Sequence, residues 1–574
     1  MGNRVLRAGS VVLTVATVLI AITTTGVAAK AEDLLVPPEC SGLMSQAAAH
    51  GVTMERVKAG FVSVLGEEVS VDLPNPDLSS SPFTDPSRTL WWQSFIWMTP
   101  VAVYVAAHPP ANQSDSTLTT GDSTNPPTAN ADLIAGSSDP IGDLVSALKR
   151  NPDPGSRTTE ALARANTTGW DEGTNFRREQ SLNCLFAATH DERLLPALAA
   201  TVKANKDPKR YYGPPLRPIH NHGTMANATL RVTARLVRSS SLDTFAISRI
   251  RDSMKTLFSP TGFTYEQSSM YHLVHLSTWA LLRQNLGPAL TKKAYATLDD
   301  ILGKARTARD FLTSPTGTYL ALGDGQNQSL IAPARRSKYM YLDRDSGLAS
   351  ARWSWTDPDT TWYTVRFGPK RSLHGHYDHG SVTWQTLGTP VLVDPGSFTY
   401  DATNPLWAWQ RSPRAHNTTT TTEGSLAYRT SPLTQMSRAG QVDSIRITNN
   451  TFTTRVNRVL TVDNLNHRLT VDDTSVGEFT QHFHFDSCWM LTEPLPSMPS
   501  EADPLAPAVT VTLQCGEKRL TVSTSDGATL SSLTGSMDPI GGWLFPQFEQ
   551  KAAGLELIIT ATSKVTTVFT LARG

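Results

Sequence analysis

Residues 452–472 have the sequence FTTRVNRVLTVDNLNHRLTVD, and this stretch decides the fold class of the C-terminal half of the chain. Apolar and polar residues alternate in Phe452–Val462 and again in His467–Asp472, and valine and threonine are frequent in both segments. This pattern is typical of β-strands with one buried face. The two segments therefore predict strands of an antiparallel sheet.

The same period of two continues from about Leu348 to the C-terminus, whereas the region before it has a helical period. Further predicted strands are Thr361–Phe367, Ser381–Leu387, Ser444–Thr448, Val509–Cys515, Arg519–Thr524 and Leu555–Leu571. Predicted helices are Gln180–Ala200, Met225–Val237, Leu242–Leu257, Ser268–Leu286 and Lys292–Leu312. We therefore predict an α+β multidomain chain, in which an (α/α) toroid at residues 32–338 precedes an antiparallel β-sandwich at residues 339–574.

Composition excludes several classes of protein. The chain has 574 residues, of which 18% are charged and 39% hydrophobic, and it contains 13 Trp, so it is too aromatic and too weakly charged for a disordered protein or a coiled coil. Lys plus Arg and Asp plus Glu both total 51, so no global field attracts nucleic acid or another polyanion. An anionic substrate therefore has to be held by a local site.

The N-terminus has the pattern of a secretory signal peptide at residues 1–31. Arg4 and Arg7 precede a mainly apolar run at Val11–Ile22, and small residues follow, which favours cleavage after Ala29 or Ala31. The alternative is a membrane anchor, but this run is shorter than the ~20 residues that span a bilayer. We expect a secreted, extracellular protein that is free of the membrane once the signal is removed.

The sequence contains four cysteines, which in an exported chain can pair in three ways. Cys488 with Cys515 is the most local pairing, since both lie in strand-like segments. Cys40 and Cys184 would then pair or stay free. None of the four has the spacing of a cysteine-rich zinc site.

The densest histidine cluster is His374-Gly375-His376-Tyr377-Asp378-His379-Gly380. On an extended segment the side chains of His374 and His376 point the same way, and Gly375 leaves room for a ligand or substrate. Asp394 and His416 follow, and two imidazoles with one carboxylate suit Zn²⁺. The alternative, hydrogen-bonded loop histidines without a metal, stays open on spacing alone.

A second group of polar residues lies in the helical half, where Asn221-His222 and Tyr271-His272 stand at predicted helix starts. Such residues are commonly packing or capping groups. A β-elimination, however, needs a group that neutralises a carboxylate, a base for the adjacent C–H proton and an acid for the leaving oxygen. Asparagine, histidine and tyrosine supply these three functions.

The run from His374 to Tyr400, followed by Arg411-Ser412-Pro413-Arg414-Ala415-His416-Asn417-Thr418, resembles the signature region of the heparinase II/III-like polysaccharide lyases. This resemblance spans roughly residues 165–420 by motif, and in that family an (α/α) toroid precedes an antiparallel β-sandwich. The matching upstream motifs are Asn221-His222, Pro260-Thr261-Gly262, Glu266-Gln267-Ser268, Tyr271-His272 and Gly323-Asp324.

The resemblance implies four catalytic residues. Asn221 would hydrogen-bond the uronate carboxylate, helped by His222 or His374, and Tyr271 would protonate the departing C4 oxygen. Tyr271 could also act as base where the C5 proton lies on the same side as that oxygen, whereas His222 or His374 would act on the opposite epimer. Some family members place a glutamate shortly after the Asn-His pair, but here Gly223-Thr224-Met225 follows.

The resemblance also implies a mainly structural zinc ion held by His376, Asp394 and His416. Asp378 or His379 could replace one of these ligands.

Four further residues are candidates for sugar binding. Arg411 and Arg414 could bind sugar carboxylates, although a loop-stabilising role is the alternative. Trp407 and Trp409 could stack on a sugar ring, although most tryptophans are core residues.

Together these residues predict a polysaccharide lyase that cleaves a uronic-acid-containing, acidic polysaccharide by β-elimination and leaves 4,5-unsaturated uronate ends. Two alternatives stay open, a zinc-dependent glycan hydrolase and a non-catalytic acidic-glycan-binding protein. The paired carboxylates expected for glycoside hydrolysis are not evident among the motifs.

Overall fold

A computed structural model describes residues 36–108, 133–155, 160–161, 169–212, 220–286, 289–329, 333–422, 425–427, 429–495 and 507–572. The predicted signal peptide and its cleavage sites lie outside these residues. The chain forms two compact units, which divide after Lys255.

The first unit is helical, apart from a short hairpin of β1 (Phe61–Val64) and β2 (Glu67–Ser70). Its helices are α1 (Pro38–Ala49), α2 (Met54–Lys58), α3 (Pro86–Gln93), α4 (Thr99–Ala107), α5 (Pro140–Arg150), α6 (Glu172–Thr189), α7 (Leu195–Lys206), α8 (Pro208–Tyr212), α9 (Asn221–Leu236) and α10 (Ser240–Ser253). Helix α6 lies at the centre, because it packs against α1, α4, α7 and α9.

Helix α6 buries polar side chains as well as apolar ones, and the neighbouring helices supply their partners. Arg178 donates from Nε to the carbonyl of Gln93 at 3.0 Å and from Nη2 to its Oε1 at 3.1 Å. Glu179 is buried and accepts hydrogen bonds from Thr233 Oγ1 and Asn205 Nδ2. These bonds fix the positions of α3, α7 and α9 around α6.

The predicted helix Gln180–Ala200 is wrong in its continuity. Helix α6 ends at Thr189, and His190 takes a left-handed conformation with φ of 52°. Helix α7 begins at Leu195 with Pro196 in its first turn, where the missing N–H of proline costs no hydrogen bond. Two helices therefore replace the one that apolar spacing predicted.

The second unit begins with helices α11 (Ser269–Leu286) and α12 (Lys292–Leu312) and continues as antiparallel sheets with one further short helix, α13 (Pro405–Arg411). The strands of the second unit are β3 (Thr318–Tyr319), β4 (Gln328–Ser329), β5 (Met340–Asp343), β6 (Leu348–Arg352), β7 (Trp362–Arg366), β8 (Val382–Thr386), β9 (Thr389–Leu392), β10 (Thr419–Thr421), β11 (Leu433–Ala439), β12 (Val442–Asn449), β13 (Val456–Asp463), β14 (Arg468–Ser475), β15 (Phe479–His484), β16 (Met490–Leu491), β17 (Thr510–Cys515), β18 (Lys518–Thr524), β19 (Ala528–Thr534), β20 (Ser536–Met537), β21 (Ile540–Gly541), β22 (Trp543–Gln547), β23 (Gln550–Ala553), β24 (Leu555–Ala561) and β25 (Lys564–Ala572).

The five-stranded sheet has the order β5-β6-β7-β8-β9, the eight-stranded sheet β11-β12-β13-β14-β25-β18-β17-β16 and the four-stranded sheet β10-β15-β24-β19.

The alternating stretch at residues 452–472 contributes to the predicted antiparallel pair. Strands β13 and β14 pair from Val456 with Ser475 to Asp463 with Arg468. The first strand begins four residues later than predicted, because Phe452 forms an isolated bridge with Leu426 instead. The predicted strand Leu555–Leu571 is two strands, β24 and β25, which lie in different sheets.

The three large sheets share one hydrophobic core. Trp384 from the five-stranded sheet, Phe483 and Leu557 from the four-stranded sheet, and Leu460 and Phe569 from the eight-stranded sheet all belong to it. Side chains of alternate residues enter this core, which explains the period of two.

Helix α12 packs on the sheet that follows it. The carbonyl of Phe311 accepts hydrogen bonds from Ser350 Oγ at 2.8 Å and from Trp362 Nε1 at 2.9 Å, and all three residues are buried. Helices α11 and α12 therefore belong to the same compact unit as the strands. The predicted domain boundary after residue 338 stays a prediction.

Two disulfides are formed. Cys488 pairs with Cys515, as predicted, and Cys40 in α1 pairs with Cys184 in α6. Within the described part of the chain, no helix combines the length and apolar character needed to cross a membrane.

The buried carboxyl group of Glu179 should make the free energy of unfolding depend on pH. Burial raises its pKa to about 7 even though Thr233 and Asn205 donate hydrogen bonds to it, whereas an ordinary glutamate titrates at 4.5. Between these values the folded chain binds more protons than the unfolded chain, so stability falls as the pH rises. Glu179→Gln should remove this loss, which amounts to about 2–3 kcal/mol.

The measurement is the midpoint of thermal unfolding of both proteins from pH 5 to pH 8. The midpoint of the variant should rise relative to that of the wild type across this range. Glu192→Gln, at an exposed position, is the control. A constant difference between Glu179→Gln and the wild type would contradict the prediction.

Candidate active site

The candidate site of the second unit is built around the buried carboxylate of Asp324. It accepts hydrogen bonds from His374 Nδ1 at 2.8 Å, from His376 Nε2 at 3.0 Å and from Arg411 Nη2 at 3.0 and 3.2 Å. Burial alone would raise the pKa of Asp324, but the hydrogen bonds and charges of the two histidines outweigh it and hold that pKa well below its usual range. Asp324 is therefore ionised and fixes both rings.

Two glycines allow the backbone around Asp324 to approach the histidine loop closely. A Cβ atom on Gly323, whose φ is +59°, would lie 2.4 Å from the carbonyl oxygen of His374, to which Asp324 N donates at 2.8 Å. A Cβ atom on Gly375 would lie 2.4 Å from Gln267 Oε1. Gly375 thus makes room for Gln267, and the expectation that it leaves room for a ligand is wrong.

Tyr271 lies in the first turn of α11, where Ser268 links the helix start to Asp324. Ser268 Oγ accepts a hydrogen bond from Tyr271 N at 3.3 Å and donates to the carbonyl of Asp324 at 2.7 Å. The ring of Tyr271 stacks on that of His374, with centroids 3.4 Å apart and planes 8° from parallel. The structure therefore brings together two of the four predicted catalytic residues.

Tyr400 is a site residue to which sequence reasoning assigned no role. Its hydroxyl oxygen lies 3.1 Å from that of Tyr271. Burial, followed by the charge of Asp324 and the neighbouring Tyr271, raises the pKa of Tyr400 well above its usual value. Tyr400 therefore keeps its proton and can donate it in a hydrogen bond to Tyr271. No local pattern marks this contact, because 129 residues separate the two tyrosines.

Glu266 is a second residue without a predicted role. It is buried, its Oε1 accepts a hydrogen bond from His275 Nε2, and its Oε2 lies 3.6 Å from His374 Nε2. Carboxylates therefore flank both ring nitrogens of His374. The motif that contains Glu266 was noted in the sequence, but its contacts depend on the tertiary fold.

The predicted zinc ligands His376, Asp394 and His416 lie in one buried region. The rings of His376 and His416 have centroids 5.2 Å apart, and buried Nδ1 of His376 and Nε2 of His416 make no hydrogen bond within the described residues. Each ring uses its other nitrogen on a carboxylate, since His416 Nδ1 donates to Asp394 Oδ2 at 2.8 Å and His376 donates to Asp324. Two imidazoles oriented in this way fit a metal ion.

Both carboxylate oxygens of Asp394 accept hydrogen bonds from other groups of the protein. Its Oδ2 accepts from His416, and its Oδ1 accepts from the backbone N–H of Gly396 at 3.0 Å. Burial lowers the pKa of His416, but the charge of Asp394 and its hydrogen bond outweigh this and raise it. In this structure Asp394 thus orients His416.

Asp378 and His379 are engaged elsewhere. Asp378 Oδ2 accepts from Arg366 Nε at 3.1 Å, and both residues are buried. The ring of His379 is hydrogen-bonded at Nδ1 to Ser431 Oγ and at Nε2 to the carbonyl of Pro369, each at 2.9 Å. These contacts favour a structural role over replacement of a metal ligand.

The predicted sugar-binding residues differ in environment. Arg411 is bound to Asp324 and lies 4.8 Å above the ring of Trp407, which is half-buried. Arg414 is exposed. Trp409 is buried in a small core with Phe545, so the expectation that it stacks on a sugar is wrong.

Asn221 and His222 belong to the first unit, at the start of α9. Asn221 is buried, and its Oδ1 accepts a hydrogen bond from His220 Nδ1 at 3.0 Å. Burial lowers the pKa of His222 to about 4, with further lowering by the charges of His220 and Arg177. The ring of His222 is therefore neutral near pH 7. The catalytic roles predicted for Asn221 and His222 stay predictions.

Comparison with known proteins finds one matching family model and several solved structures with a similar fold. Residues 342–570 match the family model described as heparinase II/III-like, C-terminal, which confirms the predicted resemblance for this region. The chain is similar to a crystal structure of heparinase III, with a TM-score of 0.66, 13% identity and coverage of 97% of this chain and 89% of that chain. It is also similar to the heparan sulfate lyase HepC from Pedobacter heparinus, with a TM-score of 0.56, 13% identity and coverage of 95% and 85%. No curated protein matches the sequence.

Asp324→Asn should destabilise the second unit. The substitution keeps the size of the side chain but removes the charge that pairs with Arg411 and orients two histidines. Breaking a buried pair in this way costs about 3–5 kcal/mol. The measurement is the midpoint of thermal unfolding, and Asp345→Asn, at an exposed position on the same unit, is the control. Equal midpoints for the two variants would show that Asp324 does not hold this site together.

Proposed function

We propose that the chain is a polysaccharide lyase, because residues 342–570 match the family model described as heparinase II/III-like, C-terminal. It cleaves a uronic-acid-containing, acidic polysaccharide by β-elimination and leaves 4,5-unsaturated uronate ends. The observation that carries this proposal is the stacked pair of Tyr271 and His374, with the Tyr271 hydroxyl 3.1 Å from that of Tyr400.

In this reaction the proton on C5 is removed, the electron pair of the C5–H bond forms the C4=C5 double bond, and the C4–O4 bond breaks as its oxygen takes the bonding pair and is protonated. Tyr271 is the proton donor to that oxygen. Tyr400 supports this role because it retains its own proton and can donate a hydrogen bond to the Tyr271 oxygen once that oxygen has given up its proton. On sugars whose C5 proton lies on the same side as O4, Tyr271 starts as the phenolate, takes that proton and then passes it to O4.

His374 is the base for the opposite epimer. Its Nδ1 donates to Asp324, which leaves Nε2 as the nitrogen that accepts a proton, and Glu266 Oε2 lies 3.6 Å from this nitrogen. A carboxylate at that distance stabilises the positive charge that His374 acquires when it takes the proton. Asp324 acts as a positioning residue, since it fixes the ring plane against Tyr271.

The remaining predicted roles complete the proposal. Asn221, with His222, binds the uronate carboxylate, and Arg411, Arg414 and Trp407 bind the sugar. We also propose that the helices form the (α/α) toroid and the sheets the β-sandwich of this family. Export of the protein is supported by the two disulfides, which persist in oxidising compartments.

We further propose a structural Zn²⁺ ion held by His376 and His416, with Asp394 as third ligand or as the residue that orients His416. The ion supplies a crosslink between the histidine loop and the segment that carries His416. The buried ring nitrogens without hydrogen-bond partners support this proposal.

Tyr271→Phe tests the chemistry. The substitution removes only the hydroxyl, so the ring still packs on His374, while kcat should fall by ~10² to 10⁴-fold and KM should change little. Turnover is followed by the ultraviolet absorbance of the new conjugated double bond on a panel of uronate polysaccharides. Tyr295→Phe, on α12 of the same unit, is the matched control and should keep wild-type activity.

The result also separates the alternatives. A zinc-dependent hydrolase would release products without a double bond, and its chemical step would stop when zinc is removed although the sheets stay folded. A glycan-binding protein would bind a substrate of the panel without turnover. Near-normal kcat in Tyr271→Phe would remove Tyr271 from the mechanism.

Metal analysis tests the zinc proposal. His376→Ala and His416→Ala should lose one bound zinc and unfold at lower temperature, because the binding energy of a structural ion is partly folding energy. His374→Ala should keep the ion. Asp394→Asn distinguishes a ligand, whose loss releases the ion, from an orienting residue, whose loss weakens binding by ~10- to 100-fold. Equal zinc loss in His374→Ala and His376→Ala would overturn this division of roles.

A further inference from the structure

Three side chains of the first unit converge where α6 and α9 begin. The predicted zinc ligands belong to the second unit. Glu172 opens α6, His220 precedes α9, and His222 lies in its first turn. His220 Nε2 lies 3.5 Å and His222 Nδ1 lies 3.6 Å from the same oxygen, Oε1 of Glu172. One ligand atom from each residue lies within 4.8 Å of the other two.

These distances do not suit hydrogen bonds. An N–H···O bond is about 2.7–3.2 Å long, so both ring nitrogens are too far from Glu172 for a good bond. Ligand atoms around a tetrahedral Zn²⁺ with bonds of about 2.0–2.1 Å are separated by about 3.3 Å. The distances from Glu172 Oε1 to the two ring nitrogens are therefore close to those within a coordination shell.

The hydrogen bonding of His220 is also that of a metal-bound histidine. Its Nδ1 is hydrogen-bonded to Asn221 Oδ1 at 3.0 Å, so that nitrogen carries the proton and Nε2 presents a lone pair. This Nε2 is buried without a hydrogen-bond partner in the described residues, and only 4% of the side chain is exposed. A lone pair that faces a carboxylate oxygen is unfavourable unless a proton or a metal cation lies between them, and at 3.5 Å the separation is long for a hydrogen bond. Asn221 orients the ring as an outer hydrogen-bond partner does for a metal-bound histidine.

His222 contributes a second buried nitrogen. Its Nδ1 also has no hydrogen-bond partner in the part of the chain that the structure describes. Gly173 permits this approach, because a Cβ atom there would lie 2.9 Å from His222 Cε1. Glu172 and His222 are 21% and 26% exposed, so the group is open on one side.

From this geometry we propose that Glu172, His220 and His222 form a second metal site, which binds Zn²⁺ or a similar divalent transition metal. Two imidazoles and a carboxylate leave one coordination position for water or another oxygen ligand. Mg²⁺ and Ca²⁺ prefer oxygen ligands and should not compete. The site is distinct from His376, Asp394 and His416 and does not depend on the proposed lyase activity.

One positive charge opposes binding. The guanidinium of Arg177 lies 4.5 Å above the ring of Phe176 and donates from Nη1 to the carbonyl of Gly173 at 2.6 Å. It is near enough to lower the pKa of His222. The carboxylate of Glu172 offsets this charge, so Glu172 should matter for affinity beyond its one bond to the metal.

Zn²⁺ binding to the full chain, first stripped of metal with a chelator, tests the proposal. Glu172→Gln and His220→Gln each replace a ligand by a neutral side chain of similar reach. Relative to the wild type, both should lose one equivalent of bound Zn²⁺ or bind it at least 10-fold more weakly in calorimetric titration. His190→Asn, at the exposed left-handed position that ends α6, is the control and should bind as the wild type does.

His416→Ala separates the two sites, because it should lose the zinc of the second unit and keep this one. Co²⁺ gives a second readout, which can also be taken on the wild-type chain. Coordination of Co²⁺ by two imidazoles and a carboxylate produces visible absorption bands, and these bands disappear when Zn²⁺ displaces the Co²⁺. Relative to the wild type, Glu172→Gln should lose the bands of this site, whereas His416→Ala should keep them. Equal numbers and affinities of bound Zn²⁺ in wild type, Glu172→Gln and His220→Gln would overturn the proposal, whatever the activity on polysaccharides.

Discussion

The arrangement of the second unit depends on one buried negative charge, that of Asp324. A carboxylate without water must be paired, and here three donors pair with it, His374, His376 and Arg411. The two histidines come from a loop and Arg411 from the end of the short helix α13, and periodicity positions neither of these segments. The need to satisfy this single charge therefore gives two loops and the start of α11 a common, unique geometry.

One carboxylate also gives two histidines different chemistry. Asp324 takes Nδ1 of His374 and Nε2 of His376, so the free nitrogen of each ring is a different atom and points to a different place. The His374 ring is left against Tyr271, and the His376 ring is left near His416. In the function that we propose, a motif of two histidines separated by one residue would serve both proton transfer and metal binding, because each function uses a different ring nitrogen.

Sequence alone predicted what depends on local periodicity. The alternation in 452–472 predicted β13 and β14, and the spacing of apolar residues predicted α11 and α12 almost to the residue. The break of α6 at His190 was missed because apolar spacing continues across it, although Pro196 was a visible signal. Resemblance singled out Tyr271 and His374, but the contacts of Asp324 and Tyr400 join residues far apart in the chain. Their function depends on tertiary packing, which no short motif encodes.

The membership of α11 in the second unit limits how this chain can be divided or recombined. A fragment that starts at the predicted boundary of residue 339 would contain His374 without Tyr271, Glu266 or Asp324, and its two key histidines would face an empty space where their carboxylate should lie. Exchange of β-rich halves between relatives at that point would combine a tyrosine and an aspartate from one parent with histidines from another. The compact unit begins at Thr256, before the helix that carries the tyrosine, so a fragment that keeps these contacts has to start there.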